Sequence, residues 1–511
     1  MRVLTRLYLG SALGLIATQS LALTGEEVWA NQTAYLSPMG ITVSQTQSRA
    51  GNILTVSDIA YDIVFPFGVG SMSIRSGPQT YTENADGTVA VDYGPTNALA
   101  ISATFQPDDY TKLGLSANLQ VDMTGQTMVA SGTAADVTYV STVDLLEITL
   151  MDYTLTGAPD VQGLTMDFYL SMADTTSTTQ ITTGADTTFR TTSSTGTTIS
   201  DYSFGVGEDF STKAVSQQLG VDGTVVVTLP GGPMNLMNMS QALRDGLAVE
   251  VTLKNQTTRS QTVTMSFGEM ISNQSTNLNA ANSVARFNAT GLAISGGVAG
   301  FDVEMPVIQG LPFPVSASGG AVDYNFAFPV NASDQPADVR YAFGLRDIIV
   351  NDAVWAMVDA GATLPHDPLS LNIDLAGKVK LLVDLLDIES MTQTINSGVM
   401  PFDLQSVAIS DLSASGLGVS ATGSGDFMLD MTDMTTFDGF PRPTGQATAT
   451  IDGLNGLLDK LVGLGLLAQS EVMTARLGMT MFLKPSGDDQ VQGTVEFTPD
   501  GHIIANGQRI Q

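Results

Sequence analysis

The sequence predicts a mainly β fold with a few short helices, and three observations support this prediction. Apolar and polar residues alternate with period two in many stretches, as in residues 53–64. Turn-forming residues such as Asp86-Gly87 separate these stretches roughly every ten residues, which is typical of an antiparallel meander. Helical periodicity is confined to short segments. We therefore expect one long curved antiparallel sheet, or two sheets packed together, with short helices capping the ends and edges.

Helical segments are expected mainly towards the two ends of the chain. Thr24 and Glu27 form a capping-box pattern, which predicts that a helix begins there and continues through residues 25–36. Asp452 is expected to cap an amphipathic helix that begins at Leu454. Further short helices are predicted over residues 235–245, 351–361 and 470–477.

A stretch rich in Thr, Ser and Gly, residues 174–200, interrupts the apolar alternation. Ile181 and Phe189 are isolated apolar residues within it. The simpler interpretation is a solvated loop or a pair of edge strands. The alternative is a linker between two halves of the domain, or a glycosylated stalk. We favour the simpler interpretation, because only composition supports the alternative.

The chain of 511 residues is acidic and contains no cysteine. Lys and Arg number 20 against 51 Asp and Glu, which gives a formal net charge of −31. A chain with no cysteine and two histidines cannot form a disulfide scaffold, a zinc finger, an iron–sulfur cluster or a cysteine nucleophile. Because no basic patch offsets the negative charge, we expect no binding to nucleic acid. The acidity also disfavours anionic lipid headgroups, but it leaves open the binding of a lipid in an apolar groove.

The N-terminal residues match a secretory signal peptide. Arg2 and Arg6 precede an apolar run over residues 7–17, and Ser20 and Ala22 are small residues at the −3 and −1 positions of a signal peptidase cleavage site. An uncleaved membrane anchor is the alternative, but an anchor needs about 20 apolar residues and polar residues 18–20 interrupt this run. We therefore expect cleavage after Ala22 and a β-rich domain, 23–511, in the periplasm. No later stretch predicts a transmembrane segment.

The two histidines are the candidates for a catalytic base. His366 lies between two prolines in the segment LPHDP, with Asp367 beside it. A rigidly presented base is the functional interpretation, but adjacent side chains seldom face each other, which favours a surface turn. His502 begins the last predicted hairpin strand, and no Gly-x-Ser-x-Gly motif is present. We therefore assign no catalytic residue and expect a protein that is not an enzyme, with a hydrolase as the third-ranked function.

Carboxylates are abundant enough that paired-acid chemistry and calcium binding need consideration. A glycosidase pair requires a cleft rich in aromatic residues, whereas this chain is 7% aromatic with two tryptophans. The segment that begins at Asp430 lacks the spacing of a calcium loop. Asp384 and Asp430 also interrupt apolar alternation, as solvent-facing residues do. No metal or cofactor site is assigned to the candidate carboxylates, which are Asp384, Asp387, Glu389, Asp426, Asp430 and Asp433.

The 23 methionines and many leucines lie mostly on predicted strands. Core packing is the default interpretation, because methionine fills irregular gaps. Methionine is also common on adaptable binding surfaces, so a groove lined by Met and Leu for an acyl chain is the alternative. Our leading hypothesis is a non-enzymatic protein that binds an apolar ligand or envelope component along a sheet. A structural or protein-interaction role in the cell envelope is the second hypothesis.

Several segments, in order along the chain, carry a family resemblance. The most specific are residues 364–368, which run into 371–377, and the C-terminal block from Leu454 to Gln508; the others are 24–29, 86–89, 242–246 and 354–359. Together they resemble a bacterial exported family described as domain of unknown function 2125. The resemblance implies a cell-envelope protein and no particular activity, cofactor or catalytic residue. A looser similarity to the large periplasmic AsmA-like proteins implies a long curved sheet that handles lipids, whereas segment 174–200 departs from the family pattern.

Overall fold

A computed structural model describes residues 22–65, 68–106, 112–157 and 163–510. The signal peptide predicted for residues 1–22 lies outside these ranges except for Ala22. The described residues are mainly β, with 63% of them in strands and 12% in helices, so the predicted fold class is confirmed. Among the described residues, the helices are all too short or too polar to cross a membrane.

The described residues form 29 strands and six helices. The strands are β1 Ile41–Ala50, β2 Ile53–Val64, β3 Gly70–Ser76, β4 Gln79–Glu83, β5 Val89–Asp92, β6 Thr96–Phe105, β7 Leu113–Thr124, β8 Thr127–Thr133, β9 Asp136–Thr156, β10 Leu164–Thr183, β11 Thr187–Val206, β12 Phe210–Leu229, β13 Ala248–Asn255, β14 Thr257–Ser266, β15 Glu269–Leu278, β16 Ala281–Asn288, β17 Gly291–Val298, β18 Phe301–Ile308, β19 Val315–Gly319, β20 Ala321–Phe328, β21 Ala337–Val350, β22 Leu369–Leu381, β23 Phe402–Gly416, β24 Val419–Asp430, β25 Arg442–Asp452, β26 Lys484–Gly487, β27 Gln490–Phe497, β28 Ile503–Ala505 and β29 Gln508–Arg509. The helices are α1 Gly25–Thr33, α2 Met239–Arg244, α3 Asp352–Val358, α4 Ile388–Ser397, α5 Leu454–Gly463 and α6 Gln469–Phe482.

All 29 strands belong to one antiparallel sheet, in which neighbours in space are close in sequence. The ladder runs from β1, which pairs with β2, to β29, which pairs with β28. Of the two predicted architectures, the single long sheet is therefore correct and the two packed sheets are wrong. At about 4.8 Å between strands, about 20 successive spacings give the sheet a contour of roughly 95 Å.

The long strands β9 to β12 bend at one level. Asp144, Asp174, Gly196 and Gly220 lie opposite one another there, and the ladder pairing skips them. Asp174 and Gly220 have left-handed φ angles of 54° and 58°, a conformation that suits glycine. On one side of the bend β12 pairs with β13, and on the other with β14. The sheet thus divides into two branches, β13-β16-β17-β20 and β14-β15-β18-β19, which rejoin at β21.

The Thr-rich segment 174–200 forms much of β10 and β11, and the loop joining them. Each of these strands is paired on both sides, β10 with β9 and β11, and β11 with β10 and β12. The interpretations as a loop, edge strands, a linker or a stalk are therefore wrong. Threonine is β-branched and favours strands, and its hydroxyl groups pair across the ladder here. The Oγ1 atoms of Thr179 and Thr191, for example, are 2.9 Å apart.

The predicted helix at the N-terminus is present and has the predicted capping box. Thr24 Oγ1 accepts a hydrogen bond from the Glu27 N–H at 3.2 Å, and Glu27 Oε2 accepts one from the Thr24 N–H at 2.9 Å. The helix ends at Thr33 rather than near residue 36. α2, α3 and α6 also lie within or around their predicted ranges, whereas α4 has no counterpart among the predicted helices.

The cap of α5 differs from the prediction. Asp452 is the last residue of β25, and Gly453 occupies the cap position without a side-chain hydrogen bond. Asp489, in the turn between β26 and β27, accepts hydrogen bonds from the N–H groups of Asn455 and Gly456 at 3.0 and 2.9 Å. A carboxylate at a helix N-terminus stabilises the first turn wherever it lies in the sequence, and here it comes from a distant turn.

The larger buried core lies beneath α1. Val28 is 0% exposed and Trp29 5%, and both pack on the strands below, where Trp29 meets Tyr81 edge-on with ring centroids 6.3 Å apart. A smaller cluster joins Leu243 of α2 to Leu229 at the end of β12. The accessible surface of 28909 Å² nevertheless exceeds the roughly 18,000 Å² expected of a compact monomer of 53.5 kDa. Most of the sheet is therefore a single layer that the other described residues leave uncovered.

Candidate functional site

The two faces of the sheet differ in chemistry between β12 and β25. On one face, two adjacent rows of mostly apolar side chains cross the strands, each residue lying opposite the next in the hydrogen-bonding register. We name these two rows the apolar band. The first row is Val225, Val251, Ala285, Ile294, Phe326, Tyr341, Leu375, Ile409, Gly425 and Ala447, and the second is Gly223, Leu253, Ser283, Gly296, Tyr324, Phe343, Ile373, Leu412, Gly423 and Ala449.

The opposite side, named the polar face, carries the residues that alternate with the apolar band. Its charged groups pair across neighbouring strands: Arg286 lies 3.2 Å from Glu250, and Arg340 lies 2.8 Å from Asp374. Depressions of about 560, 740 and 420 Å³ lie along the sheet, and polar-face side chains such as Thr252 contribute much of their lining. Because successive side chains of a strand point to opposite faces, period-two patterning places the charges on one side only.

The helices leave the middle of the apolar band exposed. α1 contacts β2, β4 and β10 near one end of the sheet, and α6 contacts β27 near the other. All members of the band are at least partly exposed, up to 49% for Tyr341, 46% for Leu253 and 43% for Leu412. The band measures roughly 45 Å by 10 Å from its strand and residue spacings. Exposed apolar patches of a few hundred Å² are often functional.

His366 lies in a cluster with Trp355 and Asp359. Its ring stacks on Trp355, with ring centroids 4.3 Å apart and an angle of 9° between the planes. Its Nε2 is 3.3 Å from Oδ2 of Asp359, whose side chain is 0% exposed. The same carboxylate accepts hydrogen bonds from the N–H groups of Thr363 at 2.9 Å and Leu364 at 2.6 Å. The cluster thus ties the end of α3 to the loop before β22.

The partner of His366 is Asp359 rather than the adjacent Asp367. Asp367 instead accepts a hydrogen bond from the Gly418 N–H at 3.2 Å. Asp359 lies within the predicted helix 351–361, seven residues before the histidine, whereas the observed helix α3 ends at Val358 and leaves Asp359 at its C-cap. The sequence prediction missed this partner because it paired His366 with the adjacent acid. Within the described ranges, the hydrogen-bond partner that the structure gives the His366 ring is the Asp359 carboxylate. The contacts of Asp359 hold the loop between α3 and β22 in place.

We expect the Asp359 cluster to loosen in acid. Burial alone would raise the pKa of Asp359, but the two backbone N–H donors and His366 outweigh burial and lower the pKa. A carboxylate with a lowered folded-state pKa stabilises the fold above its unfolded pKa of about 4, and the contribution is lost as the pH falls through the folded value. Hydrogen exchange at the Thr363 and Leu364 amides, corrected for intrinsic rates, should rise a few-fold between about pH 5 and pH 2.5.

Two variants test the cause of this acid sensitivity. Asp359→Asn removes the charge, so its two amides should exchange faster than those of the wild type already at pH 5, with a weaker dependence on pH. Asp367→Asn alters a neighbouring carboxylate outside the cluster and should leave both amides as in the wild type. Wild-type exchange rates in Asp359→Asn at pH 5 would contradict the assignment.

The candidate group Asp384, Asp387 and Glu389 has structural contacts. Asp384 pairs with Arg244 of α2 and accepts a hydrogen bond from the Ala332 N–H at 2.7 Å, so the expectation that it simply faces solvent is wrong. Asp387 is the N-cap of α4, where its Oδ1 accepts from two backbone N–H groups, each at 3.1 Å. Glu389 accepts a hydrogen bond within α4. Asp384 and Asp387 therefore connect the segment between β22 and α4 to α2 and its N-cap Asn238, whereas the contact of Glu389 lies within α4.

The second carboxylate group is divided between the sheet and a turn. Asp426 lies on the polar face of β24, opposite Gln446. Asp430 and Asp433 both pair with Arg442, at 2.9 and 3.4 Å, and the Thr436 hydroxyl and N–H lower the pKa of Asp433 to about 2. These contacts hold the turn between β24 and β25.

The described residues include no cluster of three or more acid or histidine side chains placed to hold a metal ion. His502 lies in the turn between β27 and β28, where its N–H donates a hydrogen bond to the Thr498 hydroxyl at 3.2 Å. The histidines and carboxylates singled out from the sequence therefore have structural contacts at separate places in the fold, and the apolar band is the feature that carries a functional argument.

Comparison with known proteins finds no matching family model, no matching curated protein and no matching solved structure. The resemblance to the exported bacterial family stays a prediction. The function is therefore argued from geometry and chemistry alone.

Proposed function

We propose that this chain is a non-enzymatic protein, exported to the periplasm, that binds the acyl chains of a lipid or similar amphiphile along the apolar band. The observation that carries the proposal is the exposure of this band on a sheet that is one layer thick. Covering apolar surface stabilises a complex by about 25 cal/mol per Å², so a band of roughly 450 Å² supplies a substantial driving force for a ligand that covers it.

Acyl chains suit the band better than a protein partner does. Protein interfaces contain about one hydrogen bond per 100–200 Å² and have a polar rim. The only side-chain polar atoms of the band are the hydroxyl oxygens of Ser283, Tyr324 and Tyr341. Glycines such as Gly423 and Gly425 give the band a flat floor, on which a flexible hydrocarbon chain can lie without matching a shape.

The charge of the protein favours uptake of individual amphiphiles over adsorption to a bilayer. A net charge of −31 repels anionic lipid surfaces, and Arg286 and Arg340 of the polar face are already paired with carboxylates. The hydrocarbon chain of a lipid is uncharged and is therefore not repelled. The band therefore fits a protein that holds lipid chains away from the membrane surface.

Purification without detergent tests the proposal. The chain should be produced with its N-terminal segment in a bacterium that has a periplasm, and recovered from the periplasmic fraction. Native mass spectrometry and organic extraction should then show one or two amphiphiles for each protein chain, since a 45 Å band has room for about two chains laid end to end. N-terminal sequencing should begin at Leu23.

Three results would overturn the proposal. A lipid-free protein that forms a homodimer through the band, or that carries one defined protein partner in stoichiometric amount, would favour the structural role in the envelope. A protein retained in the cytoplasm would contradict the export part. A hydrolysis that is lost in a His366→Ala variant would make the protein an enzyme.

A further inference from the structure

A cavity of about 340 Å³ lies between α1 and the sheet, next to the buried core. The volume equals about eleven water-sized groups at about 30 Å³ each, which is room for a small polar head and the start of a chain. Its lining is aromatic and amide in character, and includes Trp29, Gln32, Tyr61, Gln79, Tyr93 and Tyr139.

The cavity adjoins the apolar band on the same face of the sheet. Phe189 and Thr179 of its lining lie on β11 and β10. Phe189 is opposite Val227 of β12, two residues along the strand from Val225, which begins the band. Thr191, the partner of Thr179, is directly opposite Val225. A chain lying on the band can therefore reach the cavity without crossing to the other face.

The lining of the cavity is uncharged. It contains no Asp, Glu, Lys or Arg. Burial raises the pKa of Tyr35 and Tyr61 and raises the pKa of Tyr93 to about 12, so these phenols stay neutral at physiological pH. A phosphate or carboxylate placed here would lose its water without meeting a cation, which is costly. The cavity therefore selects for a neutral group.

The cavity also has hydrogen-bonding capacity to spare. The Tyr81 hydroxyl has one proton but lies 2.8 Å from the Oε1 atoms of both Gln32 and Gln79, so one amide oxygen is left to accept from another donor. The Tyr93 hydroxyl is directed to the thioether sulfur of Met128 at 3.7 Å, which is a weak acceptor. A ligand hydroxyl group can accept from Tyr93 and donate to a glutamine oxygen.

We propose that the cavity beneath α1 binds the uncharged, hydroxyl-bearing end of an amphiphile whose acyl chain lies on the apolar band. This inference rests on the proposed function and names the class of ligand: neutral hydroxylated lipids such as monoacylglycerols, in preference to fatty acids or phospholipids. Aromatic rings pack against the carbon atoms of such a head, while the phenol and amide groups bind its hydroxyl groups.

Trp29 provides a reporter inside the cavity. In a Trp355→Phe variant, Trp29 is the sole tryptophan. This protein should be titrated with 1-monodecanoylglycerol and, separately, with decanoate, which has the same chain length but a negative charge. The titrations should be done in about 1 M NaCl, which reduces the Debye length to about 3 Å. The negative charge of the protein then has little effect on the difference in affinity between the ester and decanoate. Isothermal calorimetry should record total binding in parallel.

We expect the glyceryl ester to shift the Trp29 emission saturably and to bind at least about tenfold more tightly than decanoate. Tyr93→Phe, added to the same background, removes one hydroxyl group from the cavity and should weaken ester binding about three- to tenfold, the effect of one hydrogen bond. Tyr202→Phe makes the same change on β11, outside both the cavity and the apolar band, where Tyr202 is 48% exposed, and should leave both the affinity and the emission shift as in the parent.

The outcomes separate the two proposals. Calorimetric binding of both amphiphiles with equal affinity, with no change in Trp29 emission and no effect of Tyr93→Phe, would overturn the assignment of the cavity while supporting the apolar band. An absence of binding for both amphiphiles would overturn the proposed function together with this inference.

Discussion

Two carboxylates introduced into the apolar band should weaken acyl-chain binding at least about a hundredfold. The two substitutions are Val251→Asp and Ile294→Asp. Val251 on β13 and Ile294 on β17 lie on either side of Ala285 of β16. A carboxylate beneath a bound hydrocarbon chain loses its hydration without gaining a partner, which costs several kcal/mol, and about 1.4 kcal/mol corresponds to a factor of ten in affinity. Titration of the double variant with 1-monodecanoylglycerol by calorimetry measures the loss.

The chain offers a matched control on the other side of the same strands. Thr252→Asp and Ser295→Asp flank Val284 on the polar face, so the control adds the same charge at the same distance along the sheet. We expect its affinity to remain within about threefold of the wild type, and both double variants to keep the far-ultraviolet circular dichroism of a β protein. An equal loss in the two variants, or no loss in either, would show that the ligand does not lie on the band.

Trp29→Ala should lower the free energy of local unfolding of α1 and the strands beneath it by about 3–5 kcal/mol. Trp29 is 5% exposed and contacts the fully buried Tyr81, so truncation leaves a cavity that neighbouring strands cannot close without losing their register. Native-state hydrogen exchange of the α1 amides reports this free energy directly.

Phe267→Ala is the control for this loss. Phe267 is 77% exposed in the turn between β14 and β15, so its removal should change local stability by less than about 0.5 kcal/mol. A similar small change for Trp29→Ala would mean that α1 is held by its hydrogen bonds rather than by packing.

Many of the strands could be predicted from the alternation of apolar and polar residues, because that pattern depends only on residues close together in the sequence. Leu54 and Thr55, in the alternating stretch 53–64, were predicted to be on a strand and lie on opposite faces of β2, because successive side chains point to opposite sides. The number of sheets could not be predicted, since period two is the same in a single layer and in a sandwich. The Thr-rich segment was misjudged because composition obscured the β-branched character of its residues.

The site was less predictable, because it depends on contacts between distant parts of the chain. The cavity beneath α1 requires Trp29 to meet Tyr93 and Tyr139, which no local pattern indicates. Asp489 at the start of α5 and Asp359 beside His366 show the same limit on a smaller scale. The apolar band could be predicted only as a hypothesis of a groove, since alternation places side chains on a face but does not say whether another layer covers it.

The order of the strands suggests how such a molecule arises and grows. Each strand pairs with strands that are nearby in sequence. A nascent chain can therefore add one hairpin after another to the existing edge of the sheet, before the later residues have been synthesised. Duplication of a hairpin in the gene would lengthen the molecule by two strand widths and leave the remaining contacts intact. The length of the sheet, measured across its strands, can therefore change by one hairpin at a time.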